Sequence, residues 1–381
     1  MSSKLIKRIL FAPIKDLSEK FQVVFLAGPR RSGKTSILKH FLSGKFEYLS
    51  LEEKGVLEFA LNDPRGFFSS FKNKLIIDDI HKAPHLIPLL KDIHGTYILS
   101  GRLDSSLSKK ISLALKGRAV KLSLLPFSLS ESFKAGTFPK KVNDWLFTGS
   151  YPERFSQTQD FYHTYISELI EKDIKAALKI HGINKFRRFL HAAAAFSGVP
   201  INLTKLGEET LIDARTANSW ITILEELYIL FRLYPYPDNS QKRKVKTPKL
   251  LFYDSGLLCF LLGITRPEDI HVHPMRAKIF ETAVISEITK RHFFAGFKPK
   301  LYYWQDLDNK TKEINLIEDH YRALQLTEIQ FSQTSKNDYS KNLLDFSCVH
   351  EKIIKKQVIY DGDDISLDDV VYYNWKSLKE A

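Results

Sequence analysis

The chain is poor in cysteine and has no long apolar run. Its 381 residues include only two cysteines, Cys259 and Cys348, so it can form at most one disulfide and is not a disulfide-stapled secreted scaffold. No segment approaches the roughly 18 consecutive apolar residues of a membrane helix. The apolar run from Ile9 to Ile14 is short and contains Pro13, which argues against a cleaved signal peptide. These absences predict a cytoplasmic protein with no membrane partner.

The composition is that of a folded protein with excess positive charge. Hydrophobic residues make up 44% and charged residues 27% of the chain, and a chain of this length is expected to form two or three domains. The net charge of +13 favours acidic partners, with nucleic acid or a nucleotide first among them. Because the basic residues are spread along the chain, charge alone leaves nucleic-acid binding open.

Four short apolar runs alternate with helical stretches in the first third of the chain. They occupy residues 21–28, 46–52, 74–80 and 96–101. Strands that alternate with helices at this spacing predict an α/β fold, in which helices cover the faces of a parallel sheet.

A phosphate-binding motif follows the first of these runs. Two glycines that bracket four residues let successive backbone N–H groups point at one anion, and the next helix N-terminus adds its partial positive charge. A lysine after the second glycine would reach the β- and γ-phosphates, and the hydroxyl after it would ligate Mg²⁺. This G-x-x-x-x-G-K-[ST] pattern is matched by Gly28, Pro29, Arg30, Arg31, Ser32, Gly33, Lys34 and Thr35, with Ser36 following. The sequence therefore predicts a P-loop that binds ATP, and we include Ser36 among the nucleotide contacts.

Two carboxylates end the third apolar run. Asp78 fits the position of the carboxylate that would hold Mg²⁺ together with Thr35. Asp79, next to it, is placed to polarise the attacking water. The alternative is that both carboxylates are simply solvated at the end of a strand. With the P-loop upstream, we predict that Asp78 is a metal residue and that Lys34 and Asp79 are catalytic.

The pattern changes after about Phe138. Residues 157–180 and 185–231 have the apolar spacing of amphipathic helices. A basic loop at 238–249 lies between two strand-like runs, and helices closed by such a hairpin suggest a winged helix. From about Pro274, one helix followed by four strands predicts an α+β unit.

Several passages, the P-loop among them, carry a family resemblance. In them the chain resembles predicted AAA+-superfamily ATPases of bacteria and archaea that carry a winged-helix and nuclease-like C-terminal region of unknown function. The resemblance implies that Ser100 stands at the sensor position for the γ-phosphate. It also makes Arg118 a candidate for contacting phosphate in cis or in a neighbouring subunit, the alternative being a structural salt bridge. The passages are AGPRRSGKTS (27–36), LIIDDIHKAP (75–84), YILSGR (97–102), LKGRAVKLSLLPFSLSESF (115–133), FTGSYPE (147–153), ELIEKDI (168–174), TPKLLFYDSGL (247–257), KIFETAVISEI (278–288) and KEINLIED (312–319).

The chain departs from this family's pattern beside the P-loop. The family usually has Asp-Glu where this chain has Asp78-Asp79, and the aspartate carboxylate lies about 1.5 Å further from the water because one methylene is missing. A base that falls short of hydrogen-bond reach loses much of its rate advantage, so we expect slow hydrolysis. His81 stands where the family usually has Gln, and we assign it no role.

The C-terminal unit departs from the pattern as well. Nucleases of the PD-(D/E)xK type hold Mg²⁺ with carboxylates on one face of two strands, and a lysine steadies the nucleophile or the phosphate. The matching positions here are Glu281, Asn315, Glu328 and Gln330. Asn315 removes a charge from the metal site and Gln330 removes the cation. We therefore expect a nuclease-like fold without nuclease activity.

These predictions combine into one domain order. Residues 1–135 form an AAA+-like P-loop ATPase, 136–184 a helical connection, 185–272 a winged-helix-like domain, and 273–381 a restriction-endonuclease-like α+β domain. The leading hypothesis is an ATP-driven conformational switch that hydrolyses ATP slowly with Mg²⁺ and has a protein partner or forms a homo-oligomer.

A second hypothesis is a DNA-binding protein gated by ATP, and an active nuclease is a weaker third. In the second, Thr216–Trp220 would enter the major groove and a basic wing would contact phosphates. The alternative is that the winged-helix segment only packs within the protein, which we favour. The basic wing residues are Lys242, Arg243, Lys244 and Lys246.

Overall fold

The protein divides into two compact units. The computed structural model describes residues 6–380, except 43, 72, 103–104, 156–160, 176–182, 238–245, 298, 307–308, 310–311, 322 and 368. The first unit contains the described residues up to Pro126, with Glu226–Tyr228 and His292–Phe297. The second contains Phe127–Glu225, Ile229–Arg291 and the described residues from 299 onward.

The first unit is built on a parallel sheet of five strands in the order β2-β3-β4-β1-β5. All residues of β1 are buried, because this strand lies inside the sheet between β4 and β5. The edge strand β2 is only half-buried, as a strand with a neighbour on one side is expected to be. The strands are β1 (Val23–Ala27), β2 (Glu47–Ser50), β3 (Lys74–Asp78), β4 (Thr96–Ser100) and β5 (Ala119–Ser123).

Helices of the first unit connect these parallel strands. Phe59, Phe67 and Phe71 make edge or tilted ring contacts with one another, and Phe68 meets Tyr97 of β4 edge-on. The α-helices are Phe11–Lys20, Lys34–Ile37, Lys54–Asn62, Pro64–Ser69 and Ser105–Ala114; the first π-helix is Leu38–Leu42, and 3₁₀ segments cover Ile80–Lys82 and Pro84–Asp92.

The second unit contains most of the helices. Trp220, on Ala214–Glu226, packs against Phe186 and Phe189 of Ile183–Ala195. The α-helices are Leu129–Lys134, Val142–Thr148, Phe161–Glu168, Ile183–Ala195, Leu203–Thr210, Ala214–Glu226, Ser255–Leu261, Asp269–Val272, Arg276–Phe294 (whose last three residues belong to the first unit) and Asp338–Val349; 3₁₀ segments are Pro152–Phe155 and Trp375–Lys379, and Leu169–Ile174 is a π-helix.

One sheet of eight strands runs through the second unit in the order β12-β13-β11-β10-β9-β8-β6-β7. The predicted hairpin, β6 with β7, is part of it, because Tyr234 and Pro235 pair in parallel with Tyr302 and Tyr303 of β8. The sheet therefore continues across the predicted boundary at residue 272. The strands are β6 (Leu230–Pro235), β7 (Lys249–Phe252), β8 (Leu301–Gln305), β9 (Glu313–Asp319), β10 (Leu324–Ile329), β11 (Ile353–Tyr360), β12 (Ile365–Leu367) and β13 (Val370–Asn374).

The α/β prediction is confirmed for the first unit, since its four predicted strands form a parallel sheet that β5 completes. The winged-helix and nuclease-like folds and the domain boundaries stay predictions. Within the described residues, no helix is both long and apolar enough to cross a membrane.

Candidate nucleotide-binding site

The P-loop follows β1 and ends where the helix Lys34–Ile37 begins. Gly28 and Gly33 have positive φ angles of 149° and 95°, which residues with a Cβ atom rarely adopt. A Cβ added to Gly28 would lie 2.1 Å from the carbonyl oxygen of Leu124. The backbone at Gly28 therefore lies directly against Leu124, and only glycine fits there.

Polar groups of the loop are arranged for an anion. Lys34 Nζ donates to the carbonyl oxygens of Gly28 (3.0 Å) and Pro29 (2.8 Å), so the loop is folded around the ammonium. Ser32 is fully buried, and its Oγ has no hydrogen-bond partner among the described residues. A buried hydroxyl without a partner costs free energy. A phosphate oxygen that accepted from it would remove that cost, so the donor set fits a nucleotide phosphate.

The remaining loop residues also lie at this edge of the sheet. Pro29 is buried, whereas Arg30 and Arg31 are half-buried and Arg31 takes a left-handed φ of 59°. Ser36 is exposed on the first turn of the helix. The structure thus keeps every predicted P-loop residue in one contiguous turn.

Asp78, at the carboxyl end of β3, accepts hydrogen bonds from three hydroxyl groups. Its Oδ2 accepts from Thr35 Oγ1 (2.7 Å) and from Tyr48 Oη (2.9 Å), and its Oδ1 accepts from Ser100 Oγ. Asp78 is 2% exposed. The predicted residues Thr35, Asp78 and Ser100 are therefore brought together, and the Thr35–Asp78 pair offers hard oxygen ligands of the kind that suit Mg²⁺.

Tyr48 was missed by the sequence reasoning. It lies on the edge strand β2, whose register places Tyr48 beside Ile76 and Ser50 beside Asp78. No motif spacing distinguishes it from the other fifteen of the chain's 16 tyrosines, so no sequence signal available here could have found it. Burial, and then the neighbouring Asp78, raise the pKa of Tyr48 far above its ordinary value, which keeps its hydroxyl protonated as a donor.

Asp79 lies next to this cluster in an unusual backbone conformation. Its φ of 62° is left-handed, a conformation that aspartate tolerates better than most residues and that is common at functional sites. Burial, together with the negative charges of Asp78 and Glu52, raises the pKa of Asp79 to about 6. The carboxylate is thus close to its titration range at neutral pH.

His81 lies beside Asp79. Its Nδ1 lies 3.7 Å from Asp79 Oδ1 and has no hydrogen-bond partner in the described chain. Burial, together with the positive charges of Arg102 and Lys82, lowers the pKa of His81 to about 3. The imidazole is therefore neutral at physiological pH and supplies no charge to the site.

Arg118 is not brought to the P-loop. It precedes β5, and β5 pairs in parallel with β1 so that Ala119 lies beside Val23. The P-loop follows the opposite, carboxyl end of β1, roughly 15 Å along the strand. Arg118 Nη1 instead donates to the carbonyl of Lys91 (2.9 Å). A cis role in phosphate binding is not supported, and a role in a neighbouring subunit stays a prediction.

Of the four nuclease-like positions, Glu281 contacts two lysines of the second unit. Lys249 Nζ, fully buried, donates to Glu281 Oε1 (2.9 Å) and to Glu313, and Lys278 Nζ contacts Glu281 Oε2 (2.6 Å). Asn315 Oδ1 accepts from the backbone N–H of Ile329 (2.8 Å). The pairing of Lys249 with two carboxylates was not predicted, because β7 lies far from both in sequence.

Glu328 is a buried carboxyl group beside this lysine cluster. Gln330 Nε2 donates to its Oε1 (2.8 Å), and its Oε2 has no hydrogen-bond partner in the part of the chain that is described. Burial, together with the carboxylates of Glu313 and Glu281, raises its pKa to about 8. Among the described residues, no group of three or more His, Cys, Asp or Glu side chains is arranged to hold a metal ion.

The predicted DNA-reading residues are mostly engaged within the second unit. Ala217 and Trp220 are buried, Thr216 bonds Asp213, and Asn218 Oδ1 accepts from Arg232 (2.8 Å). The wing residues Lys242, Arg243 and Lys244 lie outside the described residues.

The sheet order and the P-loop geometry define an α/β P-loop NTPase domain. In agreement, residues 20–133 match the family model described as an AAA domain. Two models described as domains of unknown function, DUF8612 and DUF4143, match residues 139–268 and 276–378. The first unit is therefore an α/β P-loop NTPase domain that is similar to AAA domains, and the matches beyond it assign no function.

Two relatives that match most of the chain are uncharacterized proteins. The chain is 24% identical over 309 residues to the uncharacterized protein Rv2008c of Mycobacterium tuberculosis, covering 78% of this chain and 68% of the relative. It is 22% identical over 384 residues to the uncharacterized protein MJ1544 of Methanocaldococcus jannaschii, covering 85% and 84%. A solved structure, the Walker-type ATPase PABY2304 of Pyrococcus abyssi, is similar with a TM-score of 0.41 and 14% identity over 68% of this chain and 95% of that one. That likeness is too distant to inform the function.

Proposed function

We propose that the protein binds Mg·ATP at the P-loop, hydrolyses it slowly, and acts as an ATP-driven conformational switch. The observation that carries the proposal is the meeting of Thr35, Ser100 and Asp78 beside a P-loop folded around Lys34. Three elements supply these residues, so their convergence at one sheet edge is a property of the fold. Ligands of open α/β sheets bind at this carboxyl edge.

Each residue has a distinct role in the proposed site. The backbone of residues 28–36 would hold the phosphates, and the Lys34 ammonium would neutralise charge on the β- and γ-phosphates. Thr35 and Asp78 would hold Mg²⁺, whose charge supports departure of the leaving phosphate. Ser100 would contact the γ-phosphate side, and Asp79 would orient the attacking water.

The proposal of slow hydrolysis rests on the length of the Asp79 side chain and on its raised pKa. Its carboxylate is one methylene shorter than the glutamate common in the family that the chain resembles, which places it further from the attacking water. A pKa of about 6 also leaves part of the population protonated near neutral pH. Both effects reduce the fraction of time in which a deprotonated carboxylate lies within reach of the water. Nucleotide binding depends on other residues and would be unaffected.

The readout of the switch is proposed to lie in the segments after residue 135, and a protein partner or a second copy of the chain would sense it. A cytoplasmic location is part of this proposal. Binding to DNA remains the alternative, since the net charge of +13 favours an acidic partner.

Titration calorimetry with Mg·ATP tests the proposal. Wild type should bind, whereas Lys34→Ala should bind at least tenfold more weakly, because the loop loses its ammonium. Lys20→Ala is the control, since Lys20 is an exposed lysine of the same unit. ATP turnover is then measured with and without duplex DNA at two salt concentrations. A change in turnover that is caused by DNA binding should weaken steeply as the salt concentration rises. Equal binding by wild type and Lys34→Ala would refute the nucleotide site.

A further inference from the structure

A buried arginine outside the P-loop motif contacts the loop from its outer side. Arg8 is 5% exposed although it precedes the first helix of the chain. Its Nη1 donates to the carbonyl oxygen of Ser32, and its Nη2 donates to the carbonyl oxygen of Leu125 (2.7 Å). The guanidinium thus joins the P-loop to the segment that follows β5.

The contact supplies a donor for a carbonyl group that an anion-binding loop leaves without one. When successive backbone N–H groups turn toward an anion, the carbonyl oxygens of the same residues turn the other way. A buried carbonyl must then find a donor elsewhere. Arg8 meets this need at Ser32, and its Nη1 lies 3.5 Å from where a Cβ of Gly33 would be, at the left-handed turn into the helix.

The segment after β5 holds the P-loop at both of its ends. At the first end, Leu124 lies so close to Gly28 that no Cβ fits between them. At the second end, Leu125 is tied to Ser32 through the two nitrogens of Arg8. The guanidinium is itself fixed, because its Cζ lies 5.7 Å from the centre of the buried Phe294 ring, within cation–π distance.

We propose that Arg8 is a positioning residue of the nucleotide site, which holds the P-loop in the shape that binds phosphate. The inference rests on the proposed function, since it assigns Arg8 a part in nucleotide affinity. Arginine suits the task better than lysine, because its rigid fork reaches two carbonyls at once. Arg8 does not itself contact the nucleotide in this proposal.

The test compares nucleotide affinity with stability in four variants. Dissociation constants for a fluorescent ADP analogue are measured well below each variant's melting temperature, so that only folded protein is compared. We expect Arg8→Met to weaken binding at least about tenfold, and Arg8→Lys to fall between it and wild type because one of the two carbonyl bonds can re-form. Lys7→Met is the matched control: it removes the same charge from the exposed neighbouring residue, and its affinity should stay within about twofold of wild type. Phe294→Leu keeps both hydrogen bonds and should have a smaller effect than Arg8→Met.

The outcomes separate this inference from the proposed function. If wild type and Lys7→Met bind no nucleotide, the proposed function itself fails. If wild type binds and the Arg8 variants bind with the same affinity while melting earlier, Arg8 is only structural and the inference is overturned. If Arg8→Met does not fold, Arg8→Lys decides: a wild-type affinity in that variant counts against positioning, and a weakened one supports it.

Discussion

The hydroxyl of Thr35 donates to Asp78 Oδ2 over 2.7 Å, although 43 residues separate them in sequence. This bond joins the first turn of the P-loop helix to the end of β3. A strand order that places β3 and β1 on either side of β4 makes the contact possible. The sheet therefore positions the pair, and in the proposed site this would lower the cost of ordering the ligands of Mg²⁺.

We predict that Asp78→Asn makes ATP binding nearly independent of Mg²⁺. The amide keeps the size of the side chain but removes the negative charge that a hard divalent cation requires. Tyr48→Phe is the control, because it deletes one donor to Asp78 and leaves the carboxylate in place. The measurement is ATP affinity with Mg²⁺ and with EDTA. An Asp78→Asn variant with the full Mg²⁺ effect would exclude Asp78 as a metal residue.

Asp79→Glu is predicted to raise the turnover number severalfold with little change in ATP affinity. The longer side chain returns the carboxylate to the distance at which it can orient water. Asparagine tolerates the left-handed backbone as aspartate does but cannot act as a base, so Asp79→Asn should reduce turnover to background. Phosphate release at saturating Mg·ATP measures both variants. Loss of activity in Asp79→Glu would show that Asp79 is not a shortened base.

The turnover of wild type should also depend on pH through Asp79. A base must be deprotonated to accept a proton, and the pKa of Asp79 is raised to about 6. Turnover should therefore rise between pH 5 and 7 and level off above, with its midpoint at about 6. His81, whose pKa is lowered to about 3, stays neutral over this range and contributes nothing to the profile. A flat profile, or one that Asp79→Asn retains, would contradict the role of Asp79.

The sequence predicted the P-loop and its neighbours because local signals specify them. Gly28 and Gly33 mark a turn that other residues cannot make, and the apolar run before Asp78 marks a buried strand. Arg118 shows the limit of this reasoning: its distance from the P-loop depends on which end of β5 it lies at, and only the register with β1 reveals that.

Contacts between residues distant in sequence could not be predicted at all. Arg8 and Tyr48 reach the site through packing and strand order rather than through any spacing to the motif. In the second unit, the pairing of β6 with β8 and the insertion of Lys249 between Glu281 and Glu313 have the same origin. A hairpin and a helix can be predicted locally, whereas the sheet that they share requires the tertiary fold.

Lys249→Met is predicted to destabilise the second unit by about 3–5 kcal/mol, because it leaves Glu281 and Glu313 without their buried cation. Lys278→Met is the matched control, since its side chain is 31% exposed and solvent can replace it at lower cost. All four tryptophans lie in the second unit, so urea unfolding followed by tryptophan fluorescence reports on that unit. An equal loss of unfolding free energy in the two variants would mean that Lys249 is not the central cation of the cluster.

Glu328→Gln is predicted to stabilise the second unit at alkaline pH. The pKa of Glu328 is raised from 4.5 to about 8 by burial and by the carboxylates of Glu313 and Glu281, while Lys249 and the hydrogen bond from Gln330 oppose the rise. Between these two pH values the folded state binds the proton and the unfolded state does not, so the free energy of unfolding falls as pH rises from about 4.5 to about 8.

A glutamine carries no titrating proton, keeps an oxygen for Gln330, and should remove this part of the pH dependence. Urea midpoints of wild type and Glu328→Gln, followed by tryptophan fluorescence at pH 5, 6.5 and 8, measure the difference. The variant should be close to wild type at pH 5 and more stable by an increasing margin up to pH 8. A difference that stays constant with pH would show that Glu328 is not held protonated in the folded protein, and that its buried Oε2 is paired by another group.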